Sequence, residues 1–208
     1  MNMREILDAG PVMPVIVIDD ADLAVPLARA LIAGGIRVLE VTLRTEAALE
    51  AIRRIAREVP EAIVGAGTVL DAVDAERART AGARFGVSPG STPELLSAIK
   101  LMNWPFLPGA ATASEAMSLA NAGYTELKFF PASAAGGVPL LKALGGPLQR
   151  LSFCPTGGIT QETAPAYLAL PNVRCVGGTW LTPTKLMQKR DWTAVEQLAR
   201  ASLALRPG

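Results

Sequence analysis

The sequence predicts an α/β protein, folded as one (β/α)₈ barrel with a short helix ahead of its first strand. Apolar runs of strand length recur roughly every 20 to 25 residues, and amphipathic helical stretches lie between them, the pattern of repeated βα units on a parallel sheet. No long linker or composition break interrupts the 208 residues, so we expect a single domain over 1–208. A doubly wound open sheet is the alternative architecture.

Eight strands are predicted, each from a short segment rich in apolar and β-branched residues. In chain order they cover 12–18, 37–44, 62–69, 84–90, 105–110, 126–132, 150–158 and 173–181. Residues 22–35 and 46–59 carry leucine, isoleucine and alanine at three- and four-residue spacing, which predicts helices with one apolar face. A final helix is expected at 191–205, and the N-terminal helix at 2–9.

Most of the predicted strands end in small or turn-forming residues, as in GAGT (65–68), SPG (88–90) and PTGG (155–158). In a parallel sheet these ends gather at one edge, where proteins of this architecture place their sites. The functional residues are therefore expected at the carboxyl ends of the strands.

The composition restricts the partners. Lysine plus arginine number 20 and aspartate plus glutamate 19, so no large basic field exists to attract nucleic acid or anionic lipid, and small molecules are the expected partners. Residues 1–10 carry charges where a signal peptide needs an apolar stretch, so we expect a soluble, cytoplasmic protein. Cys154 and Cys175 each lie in a strand-like segment and are interpreted as small core residues rather than a disulfide framework or metal ligands.

Histidine is absent, which narrows the chemistry further. Ser-His and Cys-His pairs, the usual zinc ligand sets and an imidazole proton shuttle are all excluded. Proton transfer must use a carboxylate, a lysine, a tyrosine or water, and no metal site is predicted.

The alternation of side chains along a strand places two charged residues on one inner face. In the second predicted strand Glu40, Thr42 and Arg44 share one side, and the residues between them are apolar. In the sixth, Lys128 lies opposite two apolar neighbours. Glu40 and Lys128 are therefore predicted to face one cavity.

Each of these charged residues has an ordinary interpretation beside a catalytic one. Lys128 could be a strand lysine whose stem is buried and whose head reaches water; inside an apolar barrel, loss of hydration instead favours the neutral amine that attacks a carbonyl. Glu40 could be a counter-ion or a general acid-base group. Arg44 could pair with Glu46 or hold a substrate carboxylate in a bidentate contact.

Two glycine doublets follow the seventh and eighth predicted strands, at 157–158 and 177–178. Glycine in a βα turn often reflects backbone geometry alone. In these two turns, however, such barrels often bind phosphate through backbone N–H groups. Thr156 and Thr179 add hydroxyl donors, and we predict a phosphorylated substrate.

Five segments resemble the successive signatures of the 2-keto-3-deoxy-6-phosphogluconate (KDPG) aldolase and 4-hydroxy-2-oxoglutarate aldolase family. They are LEVTLRT (39–45), VGAGTVL (64–70), LKFFPA (127–132), FCPTGGI (153–159) and GGTWL (177–181). The resemblance spans essentially the whole chain, in order. It implies a lyase of the Entner-Doudoroff pathway that cleaves 2-dehydro-3-deoxy-6-phosphogluconate to pyruvate and glyceraldehyde 3-phosphate. It also implies a homotrimer of (β/α)₈ barrels without a metal or organic cofactor.

The resemblance also implies a role for each matching position. Lys128 corresponds to the lysine that forms a covalent Schiff base, and Glu40 to the general acid-base glutamate. The remaining positions imply contacts with the pyruvate carboxylate end at Arg44 and Thr68, with the pocket wall at Pro89 and Phe130, and with phosphate at Gly157, Gly158, Gly178 and Thr179. Most relatives carry serine where this chain has Thr179, so the hydroxyl is kept.

Other activities remain open at this point. Aldolases specific for the galactonate epimer tend to have an aliphatic residue where this chain has Thr156, which favours the gluconate substrate and makes Thr156 a substrate-binding candidate. Cleavage of 4-hydroxy-2-oxoglutarate is a further expected activity. An isomerase or epimerase on the same barrel would need no covalent lysine, and a non-catalytic phosphosugar-binding barrel would leave its ligand intact.

Overall fold

A computed structural model describes residues 1–205, in which short parallel strands alternate with helices. The strands are β1 Val12–Ile16, β2 Val38–Thr42, β3 Ile63–Gly67, β4 Gly86–Val87, β5 Phe106–Leu107, β6 Gly109–Ala110, β7 Glu126–Phe129, β8 Ser152–Pro155 and β9 Val176–Gly178. The helices are α1 Met3–Leu7, a 3₁₀ turn Ala21–Leu23, α2 Ala24–Ala33, α3 Ala48–Glu58, α4 Ala72–Thr80, α5 Pro93–Met102, α6 Ala113–Asn121, α7 Gly137–Gly145, α8 Ala164–Leu168, α9 Thr184–Gln188 and α10 Trp192–Leu203.

The strands form a curled parallel arrangement in two hydrogen-bonded sheets, with the orders β5-β4-β3-β2-β1-β9 and β6-β7-β8. The fifth predicted strand, 105–110, is divided into β5 and β6 at Pro108. Proline has no N–H to donate to a ladder, so β5 pairs with β4 while β6 pairs with β7. Isolated bridges from Phe153 to Val173 and from Thr156 to Gly177 connect the seventh segment to the eighth.

Each predicted strand contains an observed one, but most observed strands stop earlier. The second ends at Thr42 and the third at Gly67, whereas the predictions extend to 44 and 69. Beyond these ends single backbone hydrogen bonds continue the pairing, from Leu43 N–H to the Gly67 carbonyl and from Val69 N–H to the Val87 carbonyl, before the chain enters the loops at the carboxyl edge. The α/β class and the parallel strand arrangement are confirmed by the pairings.

The core has two layers. The larger lies between the strands and the surrounding helices. The smaller lies on the inner face of the strands at their amino ends and consists of Met3, Ile6, Leu7, Met13, Val38, Ile63, Phe85, Val87, Leu107, Cys154 and Cys175. Helix α1 supplies the first three, and a capping box between Asn2 and Glu5 fixes its start. The predicted N-terminal helix therefore closes the amino end of the interior.

The two cysteines lie in this inner layer, as expected for small core residues. Both are buried, and their sulfur atoms are 3.5 Å apart, much farther than the roughly 2.05 Å of a disulfide. Within residues 1–205, none of the helices combines the length and apolar character needed to cross a bilayer.

Candidate active site

A cavity of about 400 Å³ opens at the carboxyl ends of the strands. Ten of the eleven predicted site residues line it: Glu40, Arg44, Thr68, Pro89, Lys128, Phe130, Thr156, Gly157, Gly158 and Thr179. A larger cavity of about 1260 Å³ lies at the opposite edge, near the first residues of β7 and β8, and none of the predicted site residues lines it. The smaller cavity is therefore the candidate active site.

Lys128 and Glu40 form an ion pair inside this cavity. Lys128 Nζ is 3.1 Å from Glu40 Oε1, and the two residues expose only 5% and 0% of their surface. Glu40 lies on β2 and Lys128 on β7, two strands in different sheets. Their side chains meet because the curled arrangement brings opposite inner faces together, as the alternation of side chains predicted.

The second carboxylate oxygen of Glu40, Oε2, is buried and has no hydrogen-bond partner within residues 1–205. A buried acceptor without a partner is costly, and few exist in native proteins. Because Glu40 lines the cavity, a hydroxyl group or a water at the site can supply the missing donor. The carboxylate is thus held by Lys128 through one oxygen and can accept a proton through the other.

The ring of Phe130 contributes to the surroundings of the lysine. Lys128 Nζ lies 5.5 Å from the Phe130 ring centroid, within the range of a cation–π contact. Cys154, the register partner of Lys128 on β8, is fully buried. The amine therefore has the Phe130 ring on one side and the Glu40 carboxylate on another.

Arg44 is exposed at the cavity and forms no ion pair with Glu46 or with any other acid among the described residues. Of the two interpretations of Arg44 from the sequence, the structural pair with Glu46 is therefore not supported. Thr68, which follows β3, has a φ of 60°, a rare conformation for a β-branched residue. Such backbone strain concentrates at binding sites. A cation and a hydroxyl are thus available on this side of the cavity.

The turn after β8 requires glycine for its conformation. Gly157 and Gly158 have φ values of 102° and 72°, in the left-handed region. A Cβ at Gly158 would also lie 2.7 Å from Ser133 Cβ. The turn therefore presents bare backbone to the cavity, beside the hydroxyls of Thr156 and Thr179.

The structure differs from the sequence prediction at Gly178, which does not line the cavity. Side chains alternate along β9, so Gly177 and Thr179 face inward, while a Cβ at Gly178 would overlap the ring of Trp180. The predicted contact of Gly178 with phosphate, which would use its backbone N–H, stays a prediction.

Four further cavity residues were absent from the predicted set: Val15, Thr42, Ile159 and Gly177. Alternation along β2 already placed Thr42 beside Glu40, and its hydroxyl donates to the Ile16 carbonyl at 2.9 Å. The same rule, counted back from the end of β1, could have identified Val15. Ile159 follows the glycine turn, and no pattern marked it.

Among residues 1–205, no group of three or more aspartate, glutamate or cysteine side chains is placed to hold a metal ion. What the cavity offers is a buried amine, a carboxylate with one oxygen that lacks a partner among residues 1–205, an exposed guanidinium and a glycine turn. This fold and site define a class: α/β enzymes that act on a carbonyl substrate through a lysine amine.

The chain belongs to the KDPG and KHG aldolase family, whose model matches residues 3–198. It is 52% identical over 204 residues to the 2-dehydro-3-deoxy-phosphogluconate aldolase of Pseudoalteromonas atlantica, covering 98% of this chain and 95% of that protein. It is also 52% identical over 202 residues to the KHG/KDPG aldolase of Escherichia coli K12, with 97% and 95% covered.

A solved structure of KDPG aldolase from Legionella pneumophila, with pyruvate captured at low pH as a covalent carbinolamine intermediate, has the same fold. Its TM-score is 0.96 at 45% identity, with 98% of this chain and 99% of that chain covered.

Proposed function

We propose that this protein is a Schiff-base aldolase that cleaves 2-dehydro-3-deoxy-6-phosphogluconate to pyruvate and glyceraldehyde 3-phosphate, as in the Entner-Doudoroff pathway. The observation that carries the proposal is the buried contact of 3.1 Å between Lys128 Nζ and Glu40 Oε1. Near-full-length relatives named for this activity support the substrate.

Lys128 forms the covalent bond. Transfer of its ammonium proton, for which Glu40 is the adjacent acceptor, leaves a neutral amine that attacks the C2 ketone of the substrate. The N–C2 bond forms and a proton of the attacking amine passes to the ketone oxygen, which gives a carbinolamine. Glu40 returns the proton that it took from Lys128 to the carbinolamine hydroxyl, which leaves as water; this forms an iminium, the electron sink for the next step, and frees the carboxylate to accept again.

Glu40 moves the protons of the cleavage. One carboxylate oxygen takes the proton of the C4 hydroxyl, the C3–C4 bond breaks, and its electron pair enters the iminium to form an enamine. Glyceraldehyde 3-phosphate leaves as the aldehyde. Glu40 then returns a proton to C3, and hydrolysis of the new iminium releases pyruvate and the free amine.

The other lining residues bind the two ends of the substrate. Arg44 and Thr68 hold the pyruvate carboxylate, and Pro89 and Phe130 form the pocket wall. The phosphate binds at the glycine turn 157–158 with the hydroxyls of Thr156 and Thr179. Gly178 is proposed to contribute through its backbone N–H, because a Cβ there would point at the Trp180 ring and away from the cavity.

The architecture that we propose is one closed (β/α)₈ barrel over 1–208. The two parallel sheets and the bridge from Thr156 to Gly177 support closure, with the seam at Pro108. A homotrimer, a cytoplasmic location and a reaction without metal or organic cofactor follow the family resemblance. The last is consistent with a lysine that itself supplies the electron sink.

The test is borohydride trapping in the presence of pyruvate, followed by peptide mapping. The expected result is one reduced pyruvate adduct on Lys128 in the wild type and none in Lys128→Met, with Lys100→Met on α5 as the matched control. Absence of the adduct would favour the isomerase or binding-protein alternatives. Cleavage rates on the gluconate and galactonate epimers and on 4-hydroxy-2-oxoglutarate then rank the substrates, with the gluconate epimer expected fastest.

A further inference from the structure

Gly67, the last residue of β3, lies directly beside the catalytic carboxylate. In the β2–β3 register Glu40 is paired with Gly65, and Gly67 is paired with Thr42. The Glu40 side chain nonetheless leans two residues along the strand and lies over Gly67. A Cβ built on Gly67 would be 2.7 Å from Glu40 Cγ and 2.8 Å from Glu40 Cδ, and closer still to Oε1.

Backbone conformation does not explain a glycine at this position. Gly67 is absent from the residues with positive φ, unlike Gly157 and Gly158. Inside a strand, glycine costs conformational entropy and offers no side chain for packing. The structural reason for glycine here is the space that the Glu40 side chain occupies.

We propose that Gly67 is a positioning residue, which keeps the Glu40 carboxylate against Lys128 and leaves its second oxygen open. The atom nearest to the missing Cβ is Oε1, the same oxygen that contacts Lys128 Nζ at 3.1 Å. Any side chain at position 67 therefore acts first on the atom that forms the ion pair. This inference rests on the proposed function, because it assigns Gly67 a part in the proton transfers of Glu40.

The carboxylate has little room to yield. Glu40 is fully buried, and Gly67 and Thr42 beside it are buried as well. Restoring an ordinary contact to a new Cβ requires a shift of about 1 Å, and misplacement of a reacting group on this scale can cost about 10²-fold in rate. Gly67→Ala is expected to lower the proton-transfer steps by about 10- to 100-fold.

Two measurements on pyruvate separate the contribution of Lys128 from that of Glu40. Capture of pyruvate by borohydride, taken to its final yield, reports whether Lys128 is able to form the iminium. Exchange of the pyruvate methyl protons in deuterated water, followed by NMR, reports proton transfer at C3. Gly67→Ala is expected to keep the adduct yield close to wild type while the exchange rate falls.

Gly65→Ala is the matched control on the same strand and the same face. The three atoms nearest to its Cβ would all belong to the ring of Phe85 in the inner core, whereas those nearest to a Cβ at Gly67 all belong to Glu40. It is expected to lower Tm without changing exchange relative to adduct yield. If Gly67→Ala behaves in the same way as Gly65→Ala, Gly67 serves packing only and the inference is wrong.

A cycle with Glu40→Ala keeps the test decisive even if Gly67→Ala folds poorly. Once the glutamate side chain is removed, an alanine at 67 meets no carboxylate, so Glu40→Ala and Glu40→Ala/Gly67→Ala are expected to have the same Tm to within about 2 °C. A Tm loss in the double variant as large as that caused by Gly67→Ala alone would overturn the inference. A wild type that gives neither adduct nor exchange would instead overturn the proposed function.

Discussion

The two ends of the inner face show how one set of strands serves stability and chemistry separately. At the amino end, Met13, Val38 and Phe85 pack with helix α1 in an apolar layer. At the carboxyl end of the same strands, the inner face carries Glu40 and Lys128. Along β2 the inner face changes from apolar to charged between two successive inward-facing residues, Val38 and Glu40.

This contrast indicates which end stabilises the fold. Burying an apolar side chain contributes about 1.5–3 kcal/mol, whereas a buried ion pair often contributes nothing, because desolvation offsets the attraction. The apolar layer therefore offsets the cost of burying the ion pair at the carboxyl end. Substitutions at the two ends should then affect different measurements.

The largest effect is expected from Lys128→Met, which removes the proposed nucleophile. Cleavage and borohydride trapping should both fall to background, since no other group in the cavity can form the iminium. Adding Glu40→Gln to this variant removes the uncompensated carboxylate, and Tm of the double variant should equal or exceed that of the wild type. Steady-state kinetics measure the loss of cleavage, and thermal melts measure the Tm of the single and double variants. Residual cleavage at a few per cent of the wild-type rate would contradict the covalent role.

Glu40→Gln should lower the cleavage rate by about two to four orders of magnitude, the usual loss for a positioned acid-base group. The amide preserves the shape of the side chain but leaves the buried Lys128 amine without its carboxylate partner, so Tm should fall as well. Glu46→Gln, on the exposed loop after β2, provides the control and should keep full activity. Near-normal turnover in Glu40→Gln would remove this residue from the mechanism.

Phe85→Ala tests the opposite end. Truncating a fully buried phenylalanine costs about 3–5 kcal/mol, which corresponds to a Tm lower by roughly 6–20 °C. The cleavage rate per folded molecule at low temperature should remain within about threefold of wild type, because the ring lies in the apolar layer. Leu101→Ala, at an exposed leucine, should leave Tm unchanged. Selective loss of cleavage in Phe85→Ala would mean that the two ends are not separable.

Arg44→Ala should act on binding rather than on chemistry. Loss of a charge-assisted contact with the keto-acid end is worth about 1.5–3 kcal/mol, or about 10- to 150-fold in pyruvate affinity. Titration of pyruvate against the rate of borohydride trapping measures this affinity. An unchanged affinity would exclude Arg44 from the carboxylate site.

The smallest effect is expected in the loop that leads into α6. The backbone N–H of Ala111, then the Thr112 hydroxyl, hydrogen-bond the Glu115 carboxylate and hold its pKa below the ordinary value. Because the pKa of Glu115 is lower in the folded state, its ionised carboxylate stabilises the fold above the unfolded pKa of about 4.3. This contribution to stability is lost as the pH falls through the folded-state pKa. Glu115→Gln should lower Tm by no more than about 2 °C at pH 7, since this residue is exposed, and the difference should vanish in acid. A difference that grows in acid would contradict this.

Simple alternation was enough to predict from the sequence that Glu40 and Lys128 face one cavity. Glu40 and Lys128 stood out because each is a charge in an apolar strand, and the period of two fixed the side that each one faces. The turn at 157–158 was also predictable, because a glycine doublet after a strand marks a turn. The positive φ values of both residues agree with that prediction.

Features that depend on neighbouring strands were not predictable in this way. The division of the fifth strand at Pro108 depends on which partner each half finds. Gly67 looked like part of a turn, because the side chain that occupies its space comes from β2 and only the register shows it. The choice between Gly177 and Gly178 depends on the phase of β9, which the sequence left undefined by one residue.

Helix α1 packs with Val38 and Ile63 at the starts of β2 and β3, at the end of the strands opposite the cavity. A surface or carrier attached through this helix would leave the substrate entrance facing free solution. Immobilised in that orientation, the catalyst should turn over as fast as it does unattached, whereas coupling through the loop after β2 should obstruct it.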